Sequence, residues 1–503
     1  MKNFTRFDFR IWLCVFAALV FSLFAGNLIA EQGLQGAMIV AMMVGGTFFF
    51  FSSYRWWWVP IPAFFASGAM LYYGFKLYLH EVGLALCVVP LIAASALNIN
   101  AVRQRRPALP TIFTVLLGFL ILHLGWSVIV ARQTGEGGYG NILRVYLGAT
   151  WGLGFALMFN WSGSTQYLRH ALGWLFVAYL FRVVLTLFTY FVPSFSYIPF
   201  INLVLPGSTL AQIDDLRTSA IGLASLSLCY ASMTRNRLVR AVHFFLVIGS
   251  FFALLLGGGR VAAVVFLGLP TMLALVNRKF GLVIATAAVT VCGVGLLNVN
   301  PRMLESLEPR MQRTLGILVL ESGGIRAHEL TEGSDQWHMR LRELAVERWT
   351  SSPWTFVFGN RIKKYAGGSV AMGMGEFDFE SGLNQAGDLS SYESAWFSVL
   401  ASTGVMGAVL FSMVVLFLLK NSYAYLREHR VRDPAGAFNF LAFYNIIIWF
   451  ALGWAVGGFP SFEILLGSVA FIAARTVQSE SVPEAVEADP GLLPVRRLSV
   501  AGS

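Results

Sequence analysis

The chain has 503 residues, of which 57% are hydrophobic and only 12% are charged, with a mean hydropathy of +0.67 and a formal net charge of +10. A soluble globular protein carries about 25% charged residues, so this composition excludes a soluble domain and indicates a membrane protein. The basic residues stand in short segments between apolar runs, a pattern that sets membrane topology. No nucleic-acid partner is therefore predicted.

Apolar runs of membrane length recur along the chain. Because the backbone must satisfy its own hydrogen bonds inside a bilayer, runs of about 20 apolar residues predict helices. We predict an all-α bundle of about fourteen transmembrane helices. In chain order, the candidate spans are 11–30, 34–51, 56–75, 82–97, 110–131, 142–159, 171–192, 218–233, 241–256, 261–276, 281–297, 394–419, 438–456 and 464–474.

The spans divide the chain into four parts. Residues 1–297 form a transmembrane bundle, 298–393 a large polar loop, 394–475 further transmembrane helices, and 476–503 a polar, disordered tail. Most short-loop arginines fall on one predicted side of the membrane, which is cytoplasmic by the positive-inside rule. Both termini are then cytoplasmic, and the large loop is external.

Within the loop, residues 334–349 have apolar residues at spacings of three and four, which predicts an amphipathic helix. Ser334 is a candidate cap for this helix. Ser352-Pro353 is expected to break it, and Phe358-Gly359-Asn360 is expected to form a turn.

Two arginines stand on the external side, where the topology rule disfavours them. Arg217 begins a span, and Arg260 follows three glycines in a tight turn between two spans. Each alone is compatible with a membrane-interface anchor, but together they favour an anion site. Arg182 lies within an apolar span, where a charged residue usually faces the bundle interior, either as a structural or as a functional group.

The chain re-enters an apolar run at Glu393, as Glu393-Ser-Ala-Trp-Phe-Ser-Val-Leu followed by Gly404 and Gly407. A carboxylate at a membrane boundary is suited to act as a general base because desolvation raises its pKa. The alternative is a helix N-terminal acid that is stabilised by the helix dipole, with Ser390 or Ser391 as the cap.

Three pieces in this order resemble the O-antigen ligase and polymerase superfamily of bacterial envelope polysaccharide synthesis. They are Gly257-Gly-Gly-Arg260 before an apolar span, Arg340-Leu-Arg342-Glu-Leu with Pro353 and Phe358-Gly359, and Glu393 with Gly404 and Gly407. The resemblance covers roughly the second half of the chain. The ligases have a histidine where this chain has Glu393, which favours a polymerase-like member.

The resemblance implies a glycosyltransferase that extends a polyprenyl-diphosphate-linked oligosaccharide at the periplasmic face of the bacterial inner membrane. Because no DxD-type pair of acids stands in a short external loop, we expect the reaction to be metal-independent and without a cofactor. Glu393, Arg260 and Arg217 are its expected catalytic residues. Expected substrate-binding residues are Arg340, Arg342, Arg182, His338 and Tyr392. Membrane lipid, a flippase and a chain-length regulator are the expected partners. A ligase and a lipid-linked oligosaccharide flippase or other transporter remain alternatives, as does a peptidoglycan-type transferase of the shape-and-division family, which also has a large external loop but usually fewer spans.

Overall fold

The structure is a computed structural model. It describes residues 109–134, 168–192, 216–300, 302–319, 326–360, 392–455 and 457–481, together with short stretches and single residues before 109 and between 142 and 156. Several predictions lie outside these residues, including the span 82–97, the caps Ser390 and Ser391, and the tail after residue 481.

Helices dominate the described chain. In order they are α1 (Thr111–Gln133), α2 (Leu168–Phe191), α3 (Leu216–Met233), α4 (Arg237–Gly257), α5 (Arg260–Val276), α6 (Phe280–Val299), α7 (Arg302–Glu305), α8 (Pro309–Leu315), α9 (Arg326–Thr350), α10 (Pro353–Phe358), α11 (Ala395–His429), α12 (Pro434–Leu452) and α13 (Ser461–Ser481). A 3-10 turn, Gly316–Leu318, follows α8. The helical class predicted from the sequence is confirmed.

One small exception stands near the N-terminus. Two antiparallel strands, β1 (Met70–Tyr72) and β2 (Lys76–Tyr78), form a hairpin in which Leu71 pairs with Leu77. The strand β1 lies inside the predicted span 56–75, so that prediction is wrong at its C-terminal end. Apolar composition alone does not distinguish a short strand from a helix.

The predicted count of about fourteen spans is not reproduced. Among the described residues, six helices are long and apolar enough to cross a membrane: α1, α2, α4, α6, α11 and α12. The helix α5 is apolar but shorter, and α3 is rich in serine. The predicted spans at 218–233, 261–276 and 464–474 do coincide with helices, namely α3, α5 and α13.

Small residues allow these helices to pack closely. A Cβ atom on Gly222 of α3 would lie 2.5 Å from the ring of Tyr179 of α2, and one on Gly467 of α13 would lie 2.8 Å from Leu418 of α11. Neither separation is sterically tolerable. Close approach through small residues is typical of helix packing in membranes, where lipid offers no hydrophobic driving force between helices.

The long helix α11 is broken at Gly404, whose φ of 64° and ψ of −171° are not helical. At this break, α11 crosses the end of α10, where the C-cap residue Gly359 has a φ of 79°. A Cβ on Gly404 would overlap Val357, and one on Gly359 would overlap the backbone of Ser402. Asn360 N–H donates to the carbonyl of Ala401 at 2.7 Å, so this crossing satisfies polar backbone that the break exposes.

We expect Gly404→Ala to destabilise the protein by at least about 2 kcal/mol, because a non-glycine residue at positive φ costs about 1–3 kcal/mol and the steric overlap adds to it. Gly249→Ala in α4 is the matched control, since its Cβ would meet nothing within 4 Å and alanine is the better helix former. Thermal unfolding in detergent measures both. An unchanged melting temperature for Gly404→Ala would contradict the crossing.

Candidate active site

The helix α9 lies across one end of the bundle and brings the predicted site residues together. Trp337, Leu341 and Ala345 recur every four residues on one face and are buried. The helix begins at Arg326, so Ser334 lies inside it and the predicted Ser334 cap is wrong. The predicted break at Ser352-Pro353 is confirmed, because Ser352 caps α10 by accepting from the N–H of Thr355 at 3.1 Å.

Three polar contacts flank this buried face and join α9 to the bundle. Asp335 accepts two hydrogen bonds from the guanidinium of Arg260 at the start of α5, one of them at 3.1 Å. One turn later, His338 Nδ1 lies 3.2 Å from Glu393 Oε2. After a further turn, the Arg342 guanidinium lies 5.1 Å from the centre of the Trp454 ring, a cation–π contact.

The spacing of these contacts defines the geometry of the site. Residues three apart on a helix have Cβ atoms about 5–6 Å apart, so Asp335 and His338 hold Arg260 and Glu393 beside one another. The His338 and Glu393 side chains are 28% and 32% exposed, which leaves this pair accessible to a substrate. The helix that carries Arg340 and Arg342 thus lies against Glu393.

Arg217 lies next to Arg260. The helix α3 begins at Leu216 against the glycine turn that precedes α5, and a Cβ on Gly257 would lie 2.9 Å from the backbone nitrogen of Arg217. A Cβ on Gly259 would lie 3.5 Å from Arg217 Nη1. The glycines thus let the exposed Arg217 side chain pass directly beside the residue before Arg260.

Glu393 precedes α11 instead of beginning it. Its φ of 52° is unusual for a residue other than glycine, and the helix starts at Ala395 with Ser394 at the N-cap position. Ser394 Oγ donates to the carbonyls of Gly453 at 2.8 Å and Trp454 at 2.9 Å. Glu393 therefore lies one residue before the N-cap position of α11, because these bonds draw Ser394 toward the end of α12.

Two other predicted residues lie close to this centre. Tyr392 is buried under α9 together with Ala345 and Ala401, so its ring packs between α9 and α11. Arg340 lies on α9 and pairs with Glu343 at 2.7 Å, and both side chains are more than half exposed. This pair faces away from the buried stripe.

Arg182 is buried in α2, and the prediction that it faces the bundle interior is confirmed. Gly173 packs against Tyr230 and Gly222 against Tyr179, so α2 and α3 are antiparallel. In this register, Arg182 of α2 lies beside Ser219 of α3, two residues from Arg217. Because an α-helix rises about 1.5 Å per residue, Arg182 and Arg217 are separated by about 5 Å or less along the helix axis.

A buried network that the sequence analysis missed connects α1 with α10. His123 Nε2 lies 2.9 Å from the carbonyl oxygen of Phe358, and its Nδ1 lies 2.5 Å from the Tyr146 hydroxyl. Since a carbonyl only accepts, a neutral imidazole donates from Nε2 and accepts from Tyr146. Ser127 Oγ lies 2.5 Å from the same hydroxyl. The available signal was a histidine inside an apolar run.

Asp335 was also missed. Its signal in the sequence was the spacing of three residues from His338 on a predicted helix. Within the described ranges, no group of three or more His, Cys, Asp or Glu side chains is arranged to hold a metal ion. The metal-independent reaction remains a prediction.

No model of a known protein family matches the chain, and no characterised protein matches it.

We expect His123→Leu to destabilise the protein by about 1–3 kcal/mol, because the Phe358 carbonyl and the Tyr146 hydroxyl then lose a buried partner. A double-mutant cycle with Tyr146→Phe measures the coupling, which we expect to be about 1 kcal/mol. The exposed His170→Leu on α2 is the control for loss of an imidazole. Strict additivity of His123→Leu and Tyr146→Phe would rule out the network.

Proposed function

We propose that this protein is a membrane glycosyltransferase that polymerises polyprenyl-diphosphate-linked oligosaccharides at the periplasmic face of the bacterial inner membrane. The observation that carries the proposal is the His338–Glu393 pair at 3.2 Å, held beside Arg260 and Arg217. A proton acceptor next to a pair of arginines suits a reaction in which a hydroxyl attacks and a diphosphate leaves.

The proposed reaction joins two lipid-linked glycans. A hydroxyl oxygen of the acceptor sugar forms a bond to the anomeric carbon of the donor sugar, while the bond between that carbon and the diphosphate oxygen breaks. The hydroxyl proton passes to the base, and the diphosphate leaves with the bonding electron pair. A positioned base contributes about 10²–10⁴ in rate, and cations stabilise the charge that develops on the leaving group.

The His338–Glu393 contact supports an assignment of the base to the pair. In this arrangement the carboxylate orients the imidazole or accepts the proton itself, and the two groups act as a unit. A carboxylate that orients a histidine is a recurring device in proton transfer. Glu393 precedes the first turn of α11, and about a third of its side chain is exposed, so a substrate has access to it.

The arginines supply the second requirement. The forked guanidinium groups of Arg217 and Arg260 match phosphate oxygens in pairs, which a lysine does not do. Arg182 on α2 and Arg342 on α9 lie at the same end of the bundle as these two arginines, and we assign both to substrate binding. Arg340 and Tyr392 are assigned as weaker contributors, since Glu343 engages the first and packing buries the second.

One observation favours a transporter as the second candidate. The helix α11 is broken at Gly404, and transporters often bind substrates at discontinuous helices. A lipid-linked oligosaccharide flippase would carry its cargo across the membrane and form no new glycosidic bond. A ligase would transfer the glycan to a different acceptor. Purified protein in liposomes with a single lipid-linked substrate distinguishes them, since only a polymerase lengthens that substrate unaided.

We expect Glu393→Gln to remove chain extension with a loss of about 10²–10⁴ in rate, while leaving the fold and lipid diphosphate binding intact. His338→Gln should have a similar effect, and the double variant should lose little more, because residues that act as a unit are not additive. Glu393→His is expected to restore some activity. Glu347→Gln, at an exposed position of α9, is the control and should extend chains normally.

A different result would change the assignment. Near-normal polymer from Glu393→Gln, with the same melting temperature as the parent, would leave Glu393 as a structural acid. If His338→Gln alone were then inactive, the base would be His338. If both variants polymerised normally, the proposed site would be wrong.

The proposed orientation is tested by labelling single cysteines in a variant that lacks Cys14, Cys87, Cys229 and Cys292. Because α9 should face the periplasm, we expect Glu343→Cys to react with a membrane-impermeant maleimide applied from that side. Glu428→Cys, exposed at the opposite end of α11, should react only after the membrane is opened. The reverse pattern would invert the topology.

A further inference from the structure

The two hydrogen bonds between Arg260 and Asp335 occupy the edge of the guanidinium that a phosphate would use. Both Nη atoms of Arg260 donate to the two oxygens of the Asp335 carboxylate. This fork-to-fork arrangement is the one that arginine adopts with carboxylate or phosphate alike. Arg260 is 18% exposed and Asp335 is 57% exposed, so an anion from solvent has access to the pair.

A second positive charge, on Arg217, lies close to Arg260 and favours the binding of an anion at this edge of the Arg260 guanidinium. Arg217 passes within van der Waals distance of the position where a Cβ on Gly259 would lie. A diphosphate bridging Arg217 and Arg260 would therefore meet the Asp335 carboxylate at the same nitrogen atoms. Two anions cannot both accept the same pair of N–H groups, and their like charges repel each other.

We propose that Asp335 is a built-in competitor that occupies the phosphate-binding edge of Arg260 in the resting state and is displaced when a diphosphate binds. This inference rests on the proposed function, because it takes the anion to be the diphosphate of the lipid-linked substrate. Asp335 acts through Arg260 and is a gating residue, with no role in the chemical step.

The contacts that α9 makes after Asp335 keep the remainder of the helix on the bundle when Asp335 is displaced. Trp337, Leu341 and Ala345 stay buried against the bundle, and the His338–Glu393 and Arg342–Trp454 contacts hold the following turns. The displacement is therefore confined to Asp335 and the part of α9 that precedes Trp337. The His338–Glu393 contact remains in place while the Nη edge of Arg260 becomes free to bind the diphosphate.

The test measures binding of inorganic pyrophosphate to the full-length protein in detergent by calorimetry at fixed ionic strength. We expect Asp335→Asn to bind about two- to fivefold more tightly than the parent, which is the range for freeing one solvent-accessible ion pair. Asp335→Glu keeps the charge and should bind as the parent does. Glu347→Gln, at an exposed position of α9, adds the same net charge and should change affinity less than twofold.

Amide hydrogen exchange supplies an independent measurement. Pyrophosphate should speed exchange in the first turns of α9 in the parent, where it displaces the Asp335 contact, but not in Asp335→Asn, where binding breaks no such contact. The part around Leu341 and Ala345 should stay protected in both proteins. Exchange that slows in the first turns of the parent would overturn the displacement.

The outcomes separate this inference from the proposed function. If the parent binds no pyrophosphate and Arg217→Gln and Arg260→Gln change nothing, the diphosphate site itself is wrong. If the parent binds pyrophosphate through these arginines but Asp335→Asn binds equally or more weakly, the proposed function stands and the competitor role is overturned. Equal tightening by Glu347→Gln would show a general charge effect and would also overturn it.

Discussion

The docking of α9 onto the end of the bundle is the interaction on which the candidate site depends. A helix rich in charged side chains stays on an apolar bundle because Trp337, Leu341 and Ala345 form one buried face. That face fixes the rotation of the helix about its axis. Once the rotation is fixed, Asp335, His338 and Arg342 must point along one flank, toward Arg260, Glu393 and Trp454.

The crossing of α10 with α11 is a second constraint on the position of Glu393. The short helix α10 follows α9 directly, and its end crosses the break in α11 at Gly404. The crossing depends on two glycines with positive φ, and the His123 hydrogen bond to the Phe358 carbonyl holds α10 against α1. Since Glu393 stands just before α11, the crossing and the docked helix together limit the movement of Glu393 relative to His338.

Much of this arrangement could be predicted from local patterns. Apolar runs predict the helices from residue 110 onward, and the spacing of Leu341 and Ala345 predicts α9. The pairing of His338 with Glu393 could not be predicted, because 54 residues of chain separate the two side chains and their approach depends on the rotation of α9. Among the described residues, two of the predicted spans do not meet the length and hydropathy of a membrane-crossing helix, since α3 carries several polar residues and α5 is short.

Composition and periodicity by themselves determined that this is a helical membrane protein with a polar helix between apolar ones, because both signals depend only on neighbouring residues. They also drew attention to Arg217, Arg260 and Glu393 as charges at the ends of apolar runs. Only the tertiary structure decided that Asp335 faces Arg260, that His338 faces Glu393, and that His123 forms a hydrogen bond with the last residue of α10. These contacts depend on how distant helices approach one another, which burial and steric fit decide across the whole bundle.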